Sequence, residues 1–248
     1  MDCRLARGRR LHSLPPMLYT PSDLFDLRET EHASLFDGVE MPWDPLKNLA
    51  AYIQAHLRPS QAHRTIGNAY IAENVSIGEG TIVEHGAMIL GPSIIGRNCR
   101  IRHNAYIRED SLIGNDCVIG NSCEIKHSLL FNGAQVPHFN YVGDSILGHK
   151  AHLGSGAIIS NLKLIGENIW IEMDGRCIDS GLRKFGALIG DAAEIGCNAV
   201  LNPGSIIGRH ALVYPNTSWR GILPDNMIAK NRAAQDVALR RPRGQICG

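Results

Sequence analysis

Aromatic residues make up only 6% of this 248-residue chain, and no stretch approaches the roughly 18 consecutive apolar residues of a membrane span. Excess charge of either sign is missing too: 25 Lys and Arg face 24 Asp and Glu, a formal net charge of +1. Such a balance provides no general field for nucleic acid or an anionic membrane, so any anion binding has to be local. The seven cysteines (Cys3, Cys99, Cys117, Cys123, Cys177, Cys197 and Cys247) are odd in number and contain no CxxC pair. That pattern argues against a disulfide framework and a structural zinc site. The opening MDCRLARGRR is basic, but no apolar run of signal-peptide length follows it. These absences predict a soluble, cytoplasmic protein without a nucleic-acid partner, a membrane partner or a bound metal.

What is present is glycine, 26 residues of it, and a strict period. From Ile71 an aliphatic side chain recurs every six positions: Ile77, Val83, Ile89, Ile95, Ile101, Ile107, Ile113, Ile119 and Ile125. Four places after each stands a mostly small residue, among them Thr81, Ala87, Ser93, Cys99, Cys117 and Cys123. The same register returns at Ile189, Ile195, Leu201, Ile207 and Val213. A period of six matches neither an amphipathic helix nor a hairpin meander. It fits a three-sided prism of short parallel strands, about 18 residues per coil, with aliphatics inside and small residues near the corners. An all-β solenoid of hexapeptide repeats is therefore predicted for residues 63–222, with Cys99, Cys117 and Cys123 as small core residues.

The spacing slips at Phe131, Val136, Val142 and Leu147, and residues 161–186 leave the repeat as an insertion. Residues 1–62 form an extension with two short helices: one over 22–36 after a Ser/Asp cap, one opened by Asp44-Pro45 and striped by Leu46, Leu49, Ile53 and Leu57. The second is expected to cap the open end of the solenoid. Residues 223–248 form a basic tail with a strand exit and a short helix.

The period converts spacing into geometry. Arg108 and Lys126 each follow a repeat aliphatic and lie one coil apart, about 5 Å at the backbone. Two stacked cations invite a bridging anion such as phosphate, the alternative being two solvated charges. If each shortened step still turns a corner, His138 and Tyr141 occupy the face leading into that one, and Asn161 returns to it higher up. An imidazole, a phenol, a carboxamide and two cations would then converge on one groove.

The segments VPHFNYVGDSILG and HLGSGAIISN resemble the acetyltransferase domain of the bifunctional amino-sugar-1-phosphate acetyltransferase/nucleotidyltransferases, archaeal-type members above all, over residues 66–225. The resemblance implies a left-handed parallel β-helix, a homotrimer, and acetyl-CoA as co-substrate bound between neighbouring helices. It also implies His138 as general base, Tyr141 and Asn161 as sugar contacts, and Arg108 and Lys126 as phosphate contacts. Glu167 and His152 replace a Lys and an Asn of bacterial members, and Lys163 or Lys184 could substitute for the former. No Gly-rich phosphate loop precedes the repeats, while LFDGVEMPWDPLKNLAAYI resembles the linker between the two halves of archaeal-type enzymes.

The reaction expected is acetyl transfer to the 2-amino group of a glucosamine-1-phosphate-type sugar, with Gly154, Ser155, Gly156 and Lys184 meeting acetyl-CoA. A backbone N–H of the Gly154–Gly156 run would hold the oxyanion. Two alternatives stand beside it. One is a non-catalytic sugar-phosphate- or nucleotide-binding partner on the same scaffold; the other is a zinc hydratase using His85, His103 and His127.

Overall fold

In the computed structural model, which describes residues 19–231, the six-residue period becomes a stack of two- to four-residue parallel strands on three faces. The first sheet has nine strands from Ser60–Gln61 to Ile222–Leu223; the second has nine from Arg64–Thr65 to Ile228–Ala229. The third has eight, from Tyr70–Ile71 to Ser218–Trp219. The coil thus continues past residue 222 to Ile228–Ala229, and the tail helix expected beyond lies outside the described residues.

Most strands of the coil send one aliphatic inward, so Ile77, Val83, Ile89, Ile95, Ile101 and Ile107 pack in one continuous buried core. Corners are turned by residues in the left-handed region, Asn98, Asn104, Asp110 and Asp116 at φ 54–59°, which Asn and Asp tolerate best among side-chain-bearing residues. Buried polar groups at the corners around Thr81 and Cys99 are satisfied. Thr81 Oγ1 donates to the Gly96 carbonyl at 2.8 Å and Cys99 Sγ to Gly114 at 3.0 Å. Cys99, Cys117 and Cys123 are free thiols in the core; Cys177 is disulfide-bonded, against the expectation from cysteine spacing.

The spacing slip is resolved differently from the sequence reading. Leu130, not Phe131, is the inward residue, because Leu112 pairs with Leu129 and Ile113 with Leu130. Phe131 faces outward and stacks on Phe25, ring centroids 5.2 Å apart. The five-residue steps run from Ile125 to Leu130 and from Val142 to Leu147, both at the corner leaving the third sheet.

The helix expected over residues 22–36 is not formed as one: within that span α-helix is confined to the turn Pro21–Leu24, followed by single 3-10 turns at Leu27–Glu29 and Ala33–Phe36. The Asp26 side chain accepts from Arg28 N, and the Asp26 N–H is drawn to Asp191 of the coil at 2.6 Å, so this stretch serves tertiary bonds in place of a helical ladder. Asp44–His56 is the second helix, with Leu46, Leu49 and Ile53 buried. It does not cap the coil end. It covers the outer face of the first sheet, in one cluster with Leu112, Leu129, Ile146, Leu188 and Ile206. The insertion joins this layer as an antiparallel hairpin, Trp170–Met173 with Arg176–Asp179, burying Ile171 and Met173 there. Where the insertion rejoins the coil, Gly186 passes so close that a Cβ would meet the Gly143 carbonyl and Ser145 Oγ.

Candidate active site

On the third sheet the outward residues of successive strands form a column, Met88, Tyr106, Glu124, Tyr141 and Ile158. One position after the inward aliphatic, Arg108 and Lys126 stack as the period required, since Ile107 pairs with Ile125. Tyr141 belongs to this same face, opposite Glu124, and not to the face before it. At the corner just beyond, His127, Asp144 and Asn161 stand in successive coils.

These side chains form one connected network. Tyr141 Oη accepts from Asn161 Nδ2 at 3.3 Å, and the same amide nitrogen donates to Asp144 Oδ2. Asp144 also receives His127 Nδ1 at 3.0 Å and Lys126 Nζ at 3.4 Å. Its carboxylate is only 6% exposed. Burial alone would raise its pKa, yet the bond from His127, the Lys126 charge and the Asn161 bond together hold it below the usual carboxylate value. Burial raises the Tyr141 phenol, reinforced by the Asp144 and Glu124 charges, so the hydroxyl keeps its proton. Gly143 makes the network possible: a Cβ there would lie 2.7 Å from Tyr141 Oη and 2.8 Å from Asn161 Nδ2.

The repulsion expected between Arg108 and Lys126 is relieved by carboxylates. Arg108 reaches Glu124 at 3.1 Å and Glu109 at 3.3 Å, while Lys126 faces Asp144. Cation spacing alone does not point to Glu109 or Glu124, and His127 stands in the sequence only among the zinc alternatives. Their signal was present, one residue beside each stacked cation or two before it.

His138 is set apart from this cluster. It ends the strand Gln135–His138 on the second sheet, at the corner that leads into the third. Its side chain is exposed, and Asp144 cannot orient it because that carboxylate is engaged at the opposite edge of the face. Directly above, one coil on, lies the Gly154–Gly156 corner, where the Gly156 N–H donates to the His138 carbonyl at 2.9 Å. The Gly154 N–H is taken by Ile195 O, leaving Ser155 as the one amide of that run outside the ladder.

Lys184 is exposed and bridges Leu162 through the backbone. Lys163 donates to Asn168 O at 3.1 Å, its pKa lowered by burial and by the nearby Arg220. Beside Asn161 opens a cleft of about 1220 Å³ whose walls include Lys163, Glu167, Trp170, Arg183 and Arg220. The three histidines of the zinc alternative go to separate partners: Asn68 N, Glu84 and Asp144. Among the described residues no group of three His, Cys, Asp or Glu could hold a metal, and no helix is long and apolar enough to cross a membrane.

Comparison with known proteins adds to this geometry. A family described as the GMPPB C-terminal domain matches residues 89–181. A bifunctional sugar-1-phosphate nucleotidylyltransferase/acetyltransferase of Sulfurisphaera tokodaii is 38% identical over 90 residues, 36% of this chain and 22% of that protein. The bifunctional protein GlmU of Methanococcus vannielii is 34% identical over 181 residues, 73% of this chain and 43% of its own length. The GlmU of Staphylococcus epidermidis is 27% identical over 170 residues, 68% of this chain and 32% of its own. The chain therefore spans less than half the length of each of these relatives, and its similarity is to one part of them.

Proposed function

We propose that this chain, similar to one part of the bifunctional sugar-1-phosphate nucleotidylyltransferase/acetyltransferases, is an acyltransferase that moves an acetyl group from acetyl-CoA to the 2-amino group of a hexosamine 1-phosphate. The observation that carries this reading is the Tyr141–Asn161–Asp144–Lys126 network on a face whose leading edge holds His138. An ammonium cannot attack a thioester, so His138 takes a proton and leaves a free amine. The amine nitrogen then bonds to the thioester carbon. The nitrogen gives up a second proton as the C–S bond breaks, and the departing CoA thiolate takes the proton held by His138. General-base assistance of this kind contributes roughly 10² to 10⁴ in rate.

The Ser155 N–H, one coil above His138, is the donor we assign to the oxyanion. Tyr141 and Asn161 hold the sugar, and Arg108 and Lys126 its phosphate, which is catalysis by positioning. The cations of Lys163, Arg183 and Arg220 and the Trp170 indole suit the phosphates and adenine of CoA, and Lys184 is paired through the backbone with Leu162 of the same cleft. His138 and the Asn161 corner occupy opposite edges of one face, which fits a reaction at an interface between copies in a homotrimer.

A second reading, a sugar-phosphate-binding subunit without chemistry, is favoured by one observation: the exposed His138 stands at the opposite edge of the face from the Tyr141–Asn161–Asp144–Lys126 network. Steady-state release of CoA from acetyl-CoA in the presence of glucosamine 1-phosphate separates the two. Turnover dependent on the amino sugar supports the enzyme. Saturable sugar-phosphate binding without CoA release supports the binding subunit.

A further inference from the structure

Asp144 is a junction for the backbone as well as the side chains. Its N–H donates to the Lys126 carbonyl at 3.0 Å, and its own carbonyl accepts from Gly186, where the insertion closes, at 2.8 Å. Its carboxylate is the common acceptor for Lys126, His127 and Asn161, and at 6% exposure it leaves no surface for a substrate. The consequence falls on Asn161. A carboxamide has one donating and one accepting end, and a carboxylate only accepts. The orientation with Nδ2 toward Asp144 and Tyr141 Oη is bonded twice, whereas the flipped amide would set an oxygen against a carboxylate with no proton between them. Asn161 Oδ1 is thereby left without a hydrogen bond, and the Tyr141 hydroxyl, having accepted from Nδ2, keeps its proton for a second partner.

We infer that Asp144, braced by His127, is a positioning residue that fixes Asn161 as a hydrogen-bond acceptor for the amino group of the acceptor sugar. The inference rests on the acetyltransferase reading and deepens it. After His138 removes one proton, an N–H of the amine donates to Asn161 Oδ1, which fixes the direction of the lone pair aimed at the thioester carbon. His127 and Asp144 stand at φ 42° and 49°, a left-handed conformation that asparagine tolerates, so Asp144→Asn and His127→Asn keep the backbone.

The test is the steady-state kinetics of the full chain and its variants, with KM for glucosamine 1-phosphate and for acetyl-CoA measured separately. Asp144→Asn lets the Asn161 amide flip, and KM for the amino sugar is expected to rise about tenfold while KM for acetyl-CoA stays within about twofold. His127→Ala moves the same constant in the same direction. His127→Asn, whose Nδ2 can donate where Nδ1 does, restores it. An unchanged sugar KM in Asp144→Asn, an equal rise in both constants, or His127→Asn no better than His127→Ala overturns the assignment. If the unaltered chain releases no CoA with any amino-sugar phosphate, the acetyltransferase reading has failed on its own. Calorimetric binding of glucosamine 1-phosphate then decides the positioning role: about tenfold weaker binding by Asp144→Asn supports it, and equal affinity, or none in either protein, overturns it.

Discussion

The first and third sheets both turn aliphatics inward, Ile77, Ile95 and Ile113 on one and Ile89, Ile107 and Ile125 on the other, and differ in what they turn outward. On the first sheet the outward column reads Ile94, Leu112, Leu129, Ile146, Leu188 and Ile206, and it is covered by Asp44–His56, the aromatic cluster around Phe131 and the insertion hairpin. On the third sheet the corresponding positions carry Tyr106, Glu124, Tyr141 and Ile158, flanked by Arg108 and Lys126, and Ile158 is 44% exposed. The inward repeat thus specifies the scaffold, while the outward residue of each strand decides whether a face is packed or chemical. Burial on the first face releases apolar surface from water, about 25 cal/mol per Å². On the third face polar groups are kept and bonded to one another through Glu124 and Asp144, with Arg108 Nε and Asn161 Oδ1 left unbonded.

Substitutions on the two faces should therefore fail in different ways. The largest effect expected is at the edge of the chemical face. His138→Ala should lower kcat for acetyl transfer by roughly 10² to 10⁴ with the thermal midpoint unchanged, because the side chain is exposed and its strand is held by main-chain bonds to Asn121 and Gly156. A variant with full kcat removes the base. Phe131→Ala should do the opposite. It empties the stack with Phe25 and Phe36 and should cost about 3–5 kcal/mol in a urea titration, leaving the sugar KM of the folded fraction as it was. If sugar binding weakened in parallel with stability, the two faces would not be separable.

A smaller effect separates charge from packing. The Asp144 carboxyl titrates below its ordinary value in the folded chain, so its stabilisation is complete above about pH 4 and is lost as the pH falls through the folded value. The stability gap between the unaltered chain and Asp144→Asn should shrink between neutral pH and about pH 3. A constant gap would mean that the carboxylate charge contributes nothing. The smallest effect belongs to the second sheet, where Arg100 pairs with Glu84 at 2.9 Å and is 53% exposed. Arg100→Ala should change stability by less than about 1 kcal/mol and leave kinetics alone.

The inward face of this molecule was legible from spacing, because one large aliphatic side chain every six residues fits the interior beside one small one, and that constraint repeats over most of the coil. The stacking of Arg108 on Lys126 followed from the same ruler. Legibility ended where the constraint relaxed. Leu129, Leu130 and Phe131 are all apolar, so periodicity could not say which one points inward; the aromatic cage of the N-terminal segment decides it. The helix expected over residues 22–36 gave way because Asp26 is bonded to Asp191, a partner far along the chain. The helix Asp44–His56 was found by its apolar stripe, but a stripe does not tell a coil end from a sheet face. The carboxylates escaped for another reason. Cation spacing suggests an anion without saying whether a ligand or the chain provides it, and Glu109, Glu124 and Asp144 stand beside Arg108 and Lys126.

The most direct test compares kcat/KM for glucosamine 1-phosphate with that for glucosamine, in the unaltered chain and in Lys126→Gln. The account predicts a strong preference for the phosphorylated acceptor that collapses in the variant while the activity on glucosamine persists. A preference that survives the loss of Lys126, or no preference in the unaltered chain, would contradict a phosphate site on the third sheet.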